Sequence, residues 1–385
     1  MEPNFPVRLM VKGSGGLVPL TAQLASLEMP RGPDEEGPVL TYGPYLTALS
    51  RFLGQDGCGP LLKALSLHLG RSVDLASIRE VEIISRKHGA LYHVAQVRAS
   101  VSGERCSLAI NVAVRPDQQA FLESELNLLT ELHHRFGLPY LPRPFFMGEV
   151  ASDEPTAGGG VLRLFLAEWF DDYHEFHLSL VPGGDSTEIN VWTSAVGQNT
   201  LGAQETRSLY SQAAAILTGY FDERSYEQIY PWHHAAGDFV VRRQDGKVEV
   251  RLITARDYRC LTLLEPGPEA TWIAIAHFFL NLTLRMRLDR LDGTGPLAWA
   301  EERCLRGVVD GFVQAWARKA RNDPSLPSEV DVIEVLRSFS PEEWLPLAEV
   351  IVEGTLVESN EAGFLAPRLK AHVEALTAIL QEQKP

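Results

Sequence analysis

The sequence predicts an α+β protein in which a small antiparallel β-lobe with one helix precedes a larger, mainly helical lobe. Two patterns predict this class. Between Ile78 and Glu168 the chain is rich in short β-forming runs, whereas beyond Trp169 apolar residues recur mostly at helical spacing. A chain of 385 residues is also long enough for two or three such units.

The first 75 residues predict a separate helical extension, which we expect to pack against the main domain. Pro30–Pro38 has the composition of a loop. Apolar residues then recur at helical spacing in Tyr45–Leu53 and again in Leu61–Leu69. The predicted divisions are therefore residues 1–75, 76–168 and 169–385.

The β-lobe is predicted from three runs rich in β-formers, Val81–Ser85, Leu91–Val101 and Cys106–Val114, which indicate an antiparallel meander. A helix is expected to begin near Asp117, directly after Pro116. Two more strands are expected after that helix, Phe145–Gly148 and Val161–Glu168.

Beyond Trp169 five segments have helical periodicity. They are Leu209–Tyr220, Thr271–Leu288, Trp299–Ala320, Val330–Phe339 and Ala366–Gln381.

The amino-acid composition indicates which classes of partner and which cellular compartment to expect. A net charge of −15 and the lack of a Lys/Arg cluster argue against nucleic acid. The four cysteines are isolated, which favours neither a zinc site nor a disulfide framework and fits a reducing cytoplasm. The start has no apolar signal region, and the longest apolar stretch, Trp272–Leu284, is too short for a bilayer. We therefore expect a cytoplasmic protein with no membrane partner.

The segment Tyr230–Val241, YPWHHAAGDFVV, combines a loop rich in His, Gly and Asp with the start of a hairpin. Gly246-Lys247 and the apolar run Val248–Tyr258 follow it. The pattern resembles the catalytic loop and metal site of the aminoglycoside/choline phosphotransferase branch of the protein-kinase-like fold. The resemblance implies a two-lobed kinase-like fold, with ATP and Mg²⁺ as cofactors.

Within this loop the resemblance gives Asp238 the place of the family's metal-binding Asn, and a Mg²⁺ role. The place of the catalytic Asp is held by His233, which either serves as a base or is a structural imidazole, like its neighbour His234. The second metal-binding Asp aligns with Thr254, and a three-residue shift would bring in Asp257 instead.

The resemblance also assigns residues of the β-lobe. In Leu108-Ala109-Ile110-Asn111, Asn111 stands where the family has a phosphate-binding Lys. Glu125 fits the Glu that pairs with this Lys, or it reaches the surface between neighbouring side chains. Lys87 and Arg98 are candidate replacement cations.

Glu168-Trp169-Phe170 resembles the hinge between kinase lobes, whose backbone would meet an adenine ring, while Asp172 could reach a ribose. A plain connecting loop is the alternative. The pairs His133-His134 and His174 with His177 lack companion acids at ligand spacing, so we expect surface histidines.

Substitutions at three chemical positions, held here by Asn111, His233 and Thr254, predict a degenerate kinase-like protein. Such a pseudokinase would be a nucleotide-binding or protein-interaction module with a protein partner. The alternative is an active ATP-dependent phosphotransferase acting on a small-molecule hydroxyl. There Lys87 or Arg98 would replace the Lys, Asp238 and Asp257 would hold Mg²⁺, and His233 would be the base. The third hypothesis is a scaffold of helices and strands that is not kinase-like and binds some other ligand.

Overall fold

The computed structural model describes residues 5–13, 16–30, 40–88, 92–153, 160–181, 183–184, 186–193, 200–234, 237–262, 269–354 and 360–383, without the side chains of residues 87 and 88. The chain divides into two compact units. Unit 1 comprises Met1–His134 and Pro142–Asp171, and unit 2 comprises Arg135–Leu141 and Asp172–Pro385.

Unit 1 is a sheet with helices. Its elements are β1 (Val7–Gly13), β2 (Gly16–Pro19), α1 (Ala22–Ala25), α2 (Tyr42–Leu69), β3 (Ile78–His88), β4 (His93–Val101), β5 (Glu104–Ala113), α3 (Pro116–Phe136), β6 (Pro144–Ala151) and β7 (Val161–Glu168). The described strands form one seven-stranded sheet in the order β2-β1-β3-β4-β5-β7-β6. All neighbours are antiparallel except β1 and β3, which run parallel.

The N-terminal segment differs from the predicted helical extension. It opens with β1 and β2, and β1 pairs with β3 through Val7 and Val81. The segment therefore completes the sheet of unit 1 and is not a separate body. The two predicted helices also belong to one element, α2, whose helical backbone is interrupted at Gln55–Cys58. Asp56, Gly57 and Cys58 have positive φ there, so α2 consists of two helical segments joined by a kink.

Helix α2 covers one face of the sheet. Buried residues of the helix and of the facing strands form a single apolar cluster, which includes Leu46, Leu49, Phe52, Leu65, Ile83, Val97, Leu108, Ile110 and Leu164. Gly148 on β6 allows the closest approach, because a Cβ at this position would overlap the ring of Phe52. This packing holds the β3-β4-β5 meander, which carries two of the predicted nucleotide-binding residues, Lys87 on β3 and Asn111 on β5.

Unit 2 is mainly helical. Its elements are β8 (Phe176–Leu180), β9 (Thr187–Val191), α4 (Ala203–Tyr220), β10 (Glu227–Ile229), β11 (Phe239–Gln244), β12 (Lys247–Leu252), β13 (Tyr258–Cys260), α5 (Ala270–Arg287), β14 (Leu288–Arg290), β15 (Leu297–Trp299), α6 (Glu302–Asn322), α7 (Glu329–Ser338), α8 (Pro341–Gly354), α9 (Glu361–Leu365) and α10 (Leu369–Glu382). The described strands pair in four two-stranded antiparallel sheets, β8-β9, β10-β13, β11-β12 and β14-β15.

Helices α4 and α6 pack closely in this unit because α6 has glycine at the contact. A Cβ on Gly307 would lie 2.6 Å from the carbonyl oxygen of Arg207, and one on Gly311 would overlap that of Ser211. The loop 230–238 follows α4 through the short strand β10 and leads into β11.

The predicted α+β class is confirmed: a mainly antiparallel N-terminal sheet is followed by a helical C-terminal region. The five strands predicted between Ile78 and Glu168 and all eight predicted helices have counterparts, the two helices of the extension being the two parts of α2. The hairpin β8-β9 and helix α8 were not predicted. Unit 1 ends at Asp171, three residues beyond the predicted division, as Asp171 and Asp172 fall in different units. Among the described residues, no helix is long and apolar enough to cross a membrane.

Candidate functional site

Two backbone hydrogen bonds hold the ends of the loop 230–238. The Tyr230 N–H donates to the carbonyl oxygen of Asp257 at 3.0 Å, and the Gly237 N–H donates to that of His234 at 2.8 Å. Gly237 has a φ of 69°, where a Cβ would be strained and would also meet the carboxylate of Glu175 at 2.7 Å. Glycine is therefore required at this turn, one residue before Asp238.

Asp238 is bound by a guanidinium. Its side chain is only 2% exposed, and Nη1 of Arg256 lies 2.6 Å from Oδ2 while Nη2 donates to Oδ1. Oδ2 also accepts the backbone N–H of His233 at 2.8 Å. A bidentate arginine pair neutralises a carboxylate and fixes its orientation. Arg256 thus takes the position on Asp238 that a cation would need.

Asp257, the other predicted metal ligand, has different surroundings. Its side chain is 45% exposed and lies 3.3 Å from Nε of Arg259. Its Oδ1 accepts the backbone N–H of Tyr258 at 2.8 Å. No group of three or more His, Cys, Asp and Glu side chains suited to a metal occurs in the described part of the chain. The Asp238 carboxylate is thus held by an arginine, whereas Asp257 is an exposed carboxylate beside one, and the described residues here do not fit a Mg²⁺ site.

His233, which holds the place of the catalytic Asp, contacts a residue from much later in the chain. Its Nε2 lies 3.4 Å from Oε1 of Glu361, and Nη2 of Arg285 lies 3.6 Å from Oε2 of the same carboxylate. Glu361 is fully buried and the His233 side chain is 11% exposed. Sequence reasoning missed Glu361 and Arg285, since nothing in their local pattern indicates that α5 and α9 meet this loop.

His234 is buried among aromatic side chains. This agrees with the alternative that the histidine is a structural imidazole. The ring is surrounded by Phe176, Tyr210, Trp232 and Phe239, with centroids 5.4 to 5.9 Å away. Burial lowers the pKa of His234 to about 4, so the imidazole is neutral at pH 7.

His177 was predicted to lie at the surface, and this prediction is wrong. The side chain is 1% exposed and lies 3.6 Å from Asp289 and 3.8 Å from Glu175. Burial alone would lower the pKa of His177, but the two carboxylates outweigh it and raise the pKa to about 9. Asp289 was missed because it lies far along the chain, after α5.

In unit 1, Glu125 is buried at 5% exposure, so the alternative that it reaches the surface is wrong. Its Oε2 accepts the hydroxyl of Tyr92, at the start of the second meander strand. Asn111 is half-buried on β5, paired in register with Val94 and Phe165. The side chain of Lys87 lies outside the described residues. Arg98 lies 3.9 Å from Glu82 across the strand pair.

The predicted hinge is bonded to its own unit. The backbone N–H of Glu168 donates to the carbonyl oxygen of Arg143 at 2.9 Å, and the Glu168 carboxylate accepts the Arg143 N–H at 3.3 Å. Trp169 lies under the guanidinium of Arg86, 5.6 Å from the ring centroid. Asp172 is exposed and has a φ of 62°.

No protein-family model matches the chain, and no curated protein matches it. Among solved structures, the chain is similar to one from Haemophilus somnus 129PT that carries the name "putative fructosamine-3-kinase". The alignment has a TM-score of 0.29 and 9% identity, and covers 84% of this chain and 96% of that chain. A likeness of this size does not establish a shared family, and the assignment of a function depends on the residues described above.

Proposed function

We propose that the chain is a kinase-like protein that does not transfer phosphate and acts as an interaction module with a protein partner. The observation that carries this proposal is the pair between Asp238 and Arg256. Phosphoryl transfer depends on a metal ion that bridges phosphate oxygens and neutralises their charge. The guanidinium and the backbone N–H of His233 occupy about three of the four lone-pair sites of this carboxylate, and the positive charge of Arg256 repels a metal ion at the remaining site.

Two further features support the proposal. Asn111 carries no charge where the resemblance implies a phosphate-binding ammonium. Glu125, the implied partner of that ammonium, is instead bonded to Tyr92. The positions implied for phosphate binding and metal binding therefore both hold substitutes that lack the necessary charge or are already bonded.

The test is the binding and turnover of ATP with Mg²⁺. The wild-type protein is expected to show no Mg²⁺-dependent shift in melting temperature at millimolar ATP. The measurement would detect binding, because a ligand present at 100 times its Kd adds about 2.7 kcal/mol to stability. It is also expected to release no phosphate above a protein-free blank. A Mg²⁺-dependent shift that disappears in Asp238→Asn would contradict the proposal.

A second candidate, the atypical phosphotransferase acting on a small-molecule hydroxyl, is favoured by one contact. Glu361, 3.4 Å from His233, could orient the imidazole as a base, as carboxylates do in His-containing catalytic sites. This function requires ATP consumption that is lost in His233→Ala and greatly reduced in Glu361→Gln. Without ATP consumption by the wild type, the contact is structural.

A further inference from the structure

A buried polar network lies on the β-sheet of unit 1 beside the predicted hinge. At its centre is Gln96 of β4, whose side chain is fully buried. Its Oε1 accepts Nε of Arg86 at 2.8 Å and also Nη2 of the same guanidinium. Its Nε2 donates to Oγ of Ser107 at 3.1 Å and to Oδ1 of Asp171 at 3.2 Å. An amide has one acceptor oxygen and two donor hydrogens, so the network is complete without a ligand.

The position of Gln96 on the sheet follows from the register. Gln96 is opposite Ala109 of β5, which is in turn opposite Ala167 of β7. Residues directly opposite one another in antiparallel strands share a face. Gln96 therefore lies on the same face of the sheet as Ala167, next to the segment 168–170 where the resemblance implies an adenine ring. Successive side chains of β7 alternate between the two faces, so Glu168 lies on the opposite face.

Arg86 covers this face. Its guanidinium lies 5.6 Å from the centroid of the Trp169 ring and is held there by Gln96. Burial, and then the nearby charge of Arg98, lower the pKa of Arg86 to about 10, so it is still a cation at pH 7. A cation over an aromatic ring is favourable, more so when partly desolvated. The same ring surface cannot then stack on a base.

We infer that the network of Arg86, Gln96 and Asp171 closes this face of unit 1 to purines, so that the protein is a nucleotide-free kinase-like module. This inference rests on the proposed function and deepens it, since it decides between a module that binds nucleotide and one that does not. The closure is made by side chains of the chain itself and needs no partner.

Adenosine is the probe that tests this closure, because it carries no phosphate and needs no metal. Calorimetric titration of the wild type is expected to show no binding up to the solubility limit of adenosine. Arg86→Ala removes the cover from Trp169, and it also removes the arginine that donates to the buried Gln96 oxygen. We expect this variant to bind adenosine at least tenfold more tightly than the wild type.

The matched control is Arg163→Ala, which removes an exposed arginine from β7 of the same sheet, where it lies 3.9 Å from Glu149. This variant is expected to behave as the wild type. A far-ultraviolet circular dichroism spectrum and a cooperative melt establish that each variant is folded. Arg86→Lys, which keeps the charge and loses the fork to Gln96, gives a second folded variant and is expected to bind adenosine more weakly than Arg86→Ala.

Two results overturn the inference. One is wild-type binding of adenosine as tight as that of Arg86→Ala. The other is a folded Arg86→Ala that does not bind, because removal of the cover would then have opened no base site. Adenosine binding by the wild type without phosphate transfer overturns this inference alone, whereas ATP turnover overturns the proposed function.

Discussion

The Asp238 carboxylate is almost completely buried, and a buried carboxylate must be neutralised or hydrogen-bonded. Arg256 does both through two parallel N–H···O contacts, and the backbone of His233 adds a third. Since Arg256 stands two residues after Thr254, where the resemblance implies a metal-binding carboxylate, a cation of the chain itself lies close to the implied metal position.

This pair predicts a large effect of removing the arginine. Arg256→Met leaves the Asp238 carboxylate buried without its partner, and breaking one side of such a pair typically costs about 3 kcal/mol. Urea denaturation should give this loss in the free energy of unfolding. Because the cost comes from the uncompensated charge, Asp238→Asn added to Arg256→Met should recover part of it.

Arg259→Met is the matched control for Arg256→Met. Its partner Asp257 is 45% exposed, and exposed pairs contribute about 0 to 1 kcal/mol. Equal effects of the two arginine variants would show that the pair between Asp238 and Arg256 is no stronger than a surface contact.

His177 predicts a dependence of stability on pH. Its folded pKa of about 9 lies above the ordinary value of 6.5, because Asp289 and Glu175 outweigh the burial penalty. The proton is therefore bound more tightly in the folded protein. The contribution is complete below about pH 6.5 and is lost as the pH rises through 9, with a total of order 3 kcal/mol.

The measurement is the free energy of unfolding at several pH values between 6.5 and 9, for the wild type and for His177→Gln. The wild type should lose stability across this range more steeply than the variant, which cannot be protonated there. Parallel curves would mean that His177 is not a cation in the folded protein.

At this scale the spacing of the singled-out residues could not predict their partners. Nothing in the spacing indicates that Arg256 turns toward Asp238. His177 lies beside Asp289 of β14 and Glu361 beside Arg285 of α5, and both partners are distant in sequence, so local pattern could not reveal that these environments are buried. For Glu125, the structure excludes the alternative that it reaches the surface.

Among the elements, the contact between α4 and α6 depends on glycine. Gly311 places the α6 backbone against the carbonyl oxygen of Ser211, and a methyl group there would force the helices apart. Gly311→Ala is expected to lower the free energy of unfolding by about 1 to 3 kcal/mol, the usual cost of overpacking, despite the better helix propensity of alanine.

Gly363→Ala is the control for Gly311→Ala, since Gly363 lies in α9 with open space around its Cα. The free energy of unfolding of this variant should be unchanged or higher by up to about 1 kcal/mol, because alanine favours the helix. A Gly311→Ala protein as stable as the wild type would mean that the two helices can separate without cost.

Most elements were predictable because a long run of β-forming or apolar residues marks them, as in the β3-β4-β5 meander and α5. Among the missed strands, β1 and β9 alternate only partly between buried and exposed residues. The pairing of β1 with β3 is non-local and is not visible in a local pattern. The interruption in α2 follows from Asp56-Gly57-Cys58, which adopt positive φ.

For the whole molecule, the α+β class and the order of elements from β3 to β7 followed from the sequence, whereas the two N-terminal strands did not. The division into units did not follow from the sequence, because the chain passes from unit 1 into unit 2 and back. Arg135–Leu141 belongs to unit 2, although the residues on both sides belong to unit 1. The proposed function depends on one claim, that Arg256 holds Asp238, the metal ligand that the resemblance implies in the loop 230–238.

Titration with Mn²⁺, which has the same preference for oxygen ligands as Mg²⁺ and is observed directly by electron paramagnetic resonance, tests that claim most directly. With ATP present, we predict that the spectrum of Mn²⁺ is the same with and without the wild-type protein. One protein-bound Mn²⁺ per chain, retained in Arg256→Met and lost in Asp238→Asn, would contradict the account.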